Sequence, residues 1–226
     1  IFTVELINRN YTDMKYVLIA LITPLIFNVF IAQKTQIDNS TIWYNGVFYP
    51  GNISGVNSMN DGEHFTSLDY NQETEALEIN KYSYANYEKV ETILSSANFK
   101  PDGETTIMFD DYQFSSDETK LLLATEQEPI YRHSTKSNYY IYDIASKKIS
   151  ALSDFTKGKQ RLAEFSPNGN KVAFVRENNI FINDLSANKE VTVTTDGKMN
   201  EIINGATDWV YEEEFGFHKG FEWNSD

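Results

Sequence analysis

The segment Asn204-Gly205-Ala206-Thr207-Asp208-Trp209-Val210-Tyr211-Glu212-Glu213-Glu214-Phe215 gathers the residues most able to do chemistry. Asp208 is a helix-capping residue type. The spacing predicts a short helix with the three glutamates in its first two turns, where the positive end of the helix dipole tolerates carboxylates. Three adjacent carboxylates still repel one another, and a cation among them removes that cost. The α-ammonium of a peptide is a compact cation whose three donors two carboxylates can share, so the segment reads as an amine receptor. A run of three glutamates can equally be a solvated acidic helix end. The flanking Trp209, Tyr211 and Phe215 favour the receptor, because they predict a partly buried setting that denies the carboxylates free hydration.

A second segment, Glu128-Pro129-Ile130-Tyr131-Arg132-His133-Ser134, carries an arginine whose planar fork of donors suits a carbonyl or a carboxylate. Arg132 can also serve as a structural ion pair with an acidic neighbour. His133 on its own reads as a packed or hydrogen-bonded residue. The three histidines, His64, His133 and His218, are far apart in sequence. There is no G-x-S-x-G elbow, no H-E-x-x-H, no P-loop and no G-x-G-x-x-G. These residues assemble no complete catalytic site, call for no cofactor and form no metal-ligand motif, so the chain by itself is expected to turn over nothing.

Short strands must position these segments. Apolar runs of four to seven residues, such as Lys120–Thr125, Asn138–Asp143, Lys171–Arg176 and Ile180–Asp184, alternate with Asn, Gly, Asp and Ser clusters. Ser166-Pro167-Asn168-Gly169-Asn170 lies between two of these runs and predicts a hairpin turn. The same element recurs at Ser58-Met59-Asn60-Asp61-Gly62, at Phe114-Ser115-Ser116-Asp117-Glu118 and, broken off, at Trp223-Asn224-Ser225-Asp226. From Asp61 to Asp117, Asn168 and Asp226 the steps are 56, 51 and 58 residues. Tyr140–Asp143 and Ile180–Asp184 each follow the turn as a strand ending in Asp. The expected fold is therefore all-β: a partial ring of β-propeller blades, each a four-stranded antiparallel sheet, with about three to four units present.

The bulk composition agrees. At 226 residues and 41% hydrophobic content the chain can bury a core, and 14 Tyr, 15 Phe and 3 Trp beside many Thr, Val and Ile favour strands. A formal net charge of −14 with no basic patch makes nucleic acid an unexpected partner. The absence of Cys excludes disulfides, thiolate metal sites and thiol nucleophiles without placing the compartment. The apolar stretch Tyr16–Ala32, preceded by Lys15 and Met14, predicts an N-terminal hydrophobic helix acting as a signal peptide or signal anchor over 14–33. Residues 1–13 are then expected to be upstream, non-native sequence. The protein is expected to be exported, either free in the periplasm or anchored in the cell envelope.

Taken together, Asp208-Trp209-Val210-Tyr211-Glu212-Glu213-Glu214 and Tyr131-Arg132-His133-Ser134 resemble the two signature segments of the dipeptidyl peptidase IV propeller. Ile42-Trp43, Ser58–Phe65 and Tyr139–Asp143 are similar to its other blade sequences, in the same order, so the resemblance covers about 40–226. It implies a propeller capped by an α/β-hydrolase domain with a Ser-Asp-His triad, absent from this chain, and release of X-Pro or X-Ala dipeptides. By the same resemblance Glu213 and Glu214 bind the substrate amine and Arg132 the substrate carbonyl, while Glu212 belongs to the motif without that role. The implied partners are peptides with Pro or Ala in second position, the hydrolase domain, and a second copy of the chain if the protein is a homodimer. Phe217-His218-Lys219-Gly220 departs from the animal enzymes and suggests a bacterial branch. The reading of a different class is an exported propeller without catalysis that binds peptide or protein through its channel.

Overall fold

A computed structural model describes residues 37–48 and 55–224. The chain divides into two units, Ile1–Asn52 and Ile53–Asp226. In the first unit the described element is the helix α1 (Asn39–Trp43), capped by Asp38, whose Oδ1 accepts from the Thr41 amide at 2.7 Å. The expected hydrophobic helix over Tyr16–Ala32 lies outside the described residues. Among the described residues the first strand starts at Asn57, and Ile42-Trp43, expected to belong to a blade, lie in the helix α1.

The second unit contains three four-stranded antiparallel sheets, each wound in sequence order. The first holds β1 (Asn57–Ser58), β2 (His64–Asn71), β3 (Ala76–Ser83) and β4 (Lys89–Ser95). The second holds β5 (Phe109–Phe114), β6 (Lys120–Pro129), β7 (Thr135–Asp143) and β8 (Lys148–Ala151). The third holds β9 (Arg161–Phe165), β10 (Lys171–Arg176), β11 (Asn179–Asp184) and β12 (Lys189–Thr192). A two-stranded pair, β13 (Gly205–Ala206) and β14 (Lys219–Gly220), brackets the helix α2 (Trp209–Phe215). These are the blades expected from the 51 to 58 residue recurrence.

The recurring turn joins the first and second strands of every blade. In the second blade the Ser115 amide donates to Lys120 O at 2.9 Å, the Lys120 amide to Ser115 Oγ at 3.0 Å, and the Glu118 amide to Ser115 O at 2.8 Å. In the third blade Ser166, Lys171 and Gly169 repeat these bonds at 2.8, 3.0 and 2.8 Å. The final turn residue is left-handed in all three blades: Gly62 at φ +69°, Glu118 at +55° and Gly169 at +69°. Successive turns also bond to one another. Asn60 Nδ2 donates to Ser116 O at 2.8 Å, and Ser116 Oγ to Pro167 O at 2.6 Å. Asp143 and Asp184, which end the third strands, each start the next turn by accepting backbone amides, from Ser146 at 2.8 Å and from Ser186 and Ala187 at 3.0 Å.

The core lies between blades. Leu121, Leu123, Tyr140 and Tyr142 of the second blade pack with Ile79 and Leu94 of the first, around Phe99 and Phe109. The alternate residues Leu122 and Ile141 pack with Leu152 and with Phe165, Val172 and Phe174 of the third. The run Leu121-Leu122-Leu123 is therefore apolar without alternation because a blade between two others is buried on both faces.

Candidate functional site

The helix α2 forms where the sequence predicts it. Asp208 Oδ1 accepts from the amides of Val210 at 3.0 Å and Tyr211 at 3.2 Å, and Gly216 ends the helix in the left-handed region at φ +70°. Close docking brings it to the blades. Gly205, at φ +74°, sits against β10 and β11 so tightly that a Cβ there would lie 2.6 Å from Ile180 Cγ1 and 2.8 Å from Val175 Cγ2. After the helix, Lys219 Nζ donates to Glu164 Oε2 at 2.9 Å and ties β14 to β9.

The three glutamates have three different environments. Glu212 is 2% exposed, and its Oε1 accepts the amides of His133 at 2.7 Å and Ser134 at 3.0 Å. Burial raises its pKa, but the polar groups of His133 and Ser134 that face the carboxylate, the two amides among them, outweigh burial and hold the carboxyl below its ordinary value. Glu213 keeps 11% of its side chain exposed and pairs with Arg132, Nη1 to Oε2 at 3.2 Å. Glu214 is exposed.

The Arg132 segment is the tip of a long hairpin. Pairing of β6 with β7 continues past a bulge to Glu128 with Lys136 and Pro129 with Thr135, and the tip closes through the Ile130 amide on Ser134 O at 2.8 Å. The segment thus extends the blade's second and third strands beyond the apolar runs Lys120–Thr125 and Asn138–Asp143. Glu212 grips this tip from the helix, and the grip brings Arg132 beside Glu213. Trp209, Tyr211 and Phe215, expected to bury the acidic run, are instead 52%, 47% and 67% exposed. What closes over the Glu212 carboxylate is the hairpin tip, through the amides of His133 and Ser134. His64 bonds Asp61 at 2.6 Å within the first blade's turn, apart from this site.

Arg161, at the start of β9, was not picked out by sequence reasoning. Its Nε and Nη2 are buried without a hydrogen-bond partner, as is Glu212 Oε2. Burial lowers the guanidinium's pKa, opposed by the charge of Glu212 and by Tyr131. A cavity of about 370 Å³ is lined by Tyr131, Arg161, Arg176, Asn178 and Thr207, and one of about 680 Å³ by His133, Ser134, Glu164, His218 and Lys219.

Comparison with known proteins follows the same segments. The family model described as "Dipeptidyl peptidase IV (DPP IV) N-terminal region" matches residues 115–226. A probable dipeptidyl-aminopeptidase B of Aspergillus terreus is 42% identical over 101 residues, 44% of this chain and 11% of that protein. The human prolyl endopeptidase FAP is 31% identical over 176 residues, 78% of this chain and 20% of that protein. The crystal structure of Porphyromonas gingivalis dipeptidyl peptidase 4 superimposes with a TM-score of 0.67 at 42% identity, covering 77% of this chain and 24% of that one. The chain thus spans between a tenth and a quarter of the length of these relatives.

Proposed function

Because the chain belongs to the dipeptidyl peptidase IV family through its N-terminal propeller region, we propose that it is the substrate-recognition part of a serine-type dipeptidyl peptidase. In this reading Glu213 and Glu214 receive the substrate's amino terminus and Arg132 its carbonyl. The observation that carries the proposal is the Arg132–Glu213 contact of 3.2 Å, made between residues 81 positions apart in sequence.

The chemistry follows from exposure. Arg132 is 73% exposed on its side chain, so its bond to Glu213 is a screened, weak pair that an arriving ammonium can replace at little cost. Glu213, nearly buried, then regains a cation, and Glu214 beside it on the helix supplies a second carboxylate. Arg132 is left with its fork free for a carbonyl oxygen. Fixing the amine at a set distance from a nucleophile contributed by an α/β-hydrolase domain selects the second peptide bond, converting remote binding energy into positioning. X-Pro and X-Ala peptides are the proposed substrates, and export to the periplasm or cell envelope the proposed location.

The test is the full-length protein assayed on X-Pro chromogenic peptides with free and acetylated amines. Each charge-assisted bond to the ammonium is worth about 1.5–3 kcal/mol. Glu213→Gln is therefore expected to lower kcat/KM on the free peptide tenfold to a few hundredfold, at roughly 1.4 kcal/mol per decade, and to change nothing on the acetylated one. Equal cleavage of both peptides by the native protein would refute the receptor. Unchanged kinetics in Arg132→Lys, a point charge in place of a planar fork, would return Arg132 to a surface ion pair.

A further inference from the structure

Two opposite charges with buried, unpaired polar atoms lie beside this site. Glu212 spends Oε1 on the amides of His133 and Ser134, while Oε2 is buried and accepts no hydrogen bond. Arg161 presents Nε and Nη2, also buried and without a hydrogen-bond partner. An isolated buried charge of either sign is strongly unfavourable, and the mutual attraction of two such charges offsets part of that cost.

The backbone brings them near each other. Gln160 and Ser137 exchange amide bonds of 2.7 and 2.9 Å, so β9 begins alongside β7, three residues from Ser134. Arg161 follows at the next position, pairs with Val175 of β10, and lines a cavity with Tyr131 and Thr207 on either side of the hairpin tip and the helix. The charge of Glu212 reaches it there. Neither a hydrogen bond nor an ion pair within 4.0 Å joins the two groups, unlike Arg132 and Glu213 at the surface.

We propose that Arg161 is a positioning residue: its half-buried guanidinium is the counter-charge of Glu212, and through Glu212 it fixes the hairpin tip bearing Arg132 against the helix bearing Glu213. The proposal rests on the amine-receptor reading for its consequence in catalysis, but the coupling itself is a property of the fold. Glu212 holds two amides of the second blade's hairpin, and any force that fixes this carboxylate fixes the distance between the two halves of the receptor. Arg161 touches no substrate in this arrangement and acts only through Glu212.

Amide exchange at His133 and Ser134, measured in the full-length protein, tests the coupling. Arg161→Met, close in volume and uncharged, is expected to speed exchange at these two amides by about tenfold or more while leaving β10 and β11 slow, because the loosening is local to the tip. Arg161→Lys restores the charge and should recover part of the protection. In a Glu212→Gln background, Arg161→Met should change the same amides by less than about threefold, since its partner charge is already gone. An equal effect of Arg161→Met in both backgrounds, or none in the native one, would overturn the proposal.

If Arg161→Met does not fold, the neutral pair Arg161→Met with Glu212→Gln decides. Folding of the pair supports the coupling, because it removes both charges together. Failure of the pair when Glu212→Gln alone folds overturns it. The catalytic reading fails separately, when the native protein cleaves free and acetylated peptides alike, and that result leaves the exchange coupling intact.

Discussion

Glu212, Glu213 and Glu214 are chemically identical and adjacent, yet one is buried in a grip on backbone amides, the next pairs with Arg132 and the last faces solvent. A helix turns about 100° per residue, so three neighbours on seven residues of helix must point three ways. The buried member has a consequence for pH. The Glu212 carboxyl is held below its ordinary value of 4.5 in the folded protein. A depressed carboxyl contributes stability above the unfolded value, and that contribution is lost as pH falls through the folded one. Protection of the His133 and Ser134 amides from exchange, corrected for intrinsic rates, is therefore expected to be constant above about pH 5 and to fall below about pH 4. Glu212→Gln should remove this dependence. A native profile flat down to acid unfolding would mean that the carboxylate charge contributes nothing to the grip.

At the level of elements, the site depends on how closely the β13–α2–β14 segment approaches the third blade. Gly205 makes the approach possible, since it combines a positive φ with the absence of a side chain where β10 and β11 leave no room. Gly205→Ala imposes both a left-handed alanine and an overpacked contact against Ile180 and Val175. It is expected to lower unfolding free energy by about 2–4 kcal/mol in denaturant titration. Gly216→Ala, at φ +70° with open space around the Cβ position, carries only the backbone part and should cost about 1–2 kcal/mol. Equal losses for the two would mean that docking against the blade is not what Gly205 provides. The same logic explains Glu118. It occupies the left-handed turn position held by Gly62 and Gly169 in the other blades, and its side chain accepts from the Asn60 amide at 2.6 Å, tying its turn to the preceding one.

Across the described residues, the blades cohere mainly through apolar faces: no ladder joins one four-stranded sheet to the next, and the backbone pairing between sheets is the isolated bridge of Ser137 with Gln160. Leu122 is buried between the second and third blades against Phe165, Val172 and Phe174. Leu122→Ala should cost about 2–5 kcal/mol, and exchange of both sheets should quicken together because the lost contact belongs to both. Val90→Ala, at an exposed position on β4, is expected to stay within about 0.5 kcal/mol. If Leu122→Ala loosened the second blade alone, the interface would not be what couples the two.

The sequence by itself determined the blades, the recurring turn and the capped helix. Each is set by interactions within a few residues: Ser166 bonding Lys171, Asp184 starting its turn, and Asp208 accepting the amides of Val210 and Tyr211. A motif resemblance also singled out Glu213, Glu214 and Arg132. Only the tertiary structure decided that Glu212 reaches the amide of His133 across 79 positions, that Arg132 meets Glu213, and that Arg161 shares a cavity with Tyr131 and Thr207. It also placed Trp209 and Phe215 outward, where sequence reasoning had them shielding the acidic run. The physical reason is range. Capping, turn chemistry and strand alternation are written in neighbouring residues, whereas the burial and pairing of a charge depend on which distant surface arrives beside it, and a run of three identical glutamates carries no mark of which one that surface will cover.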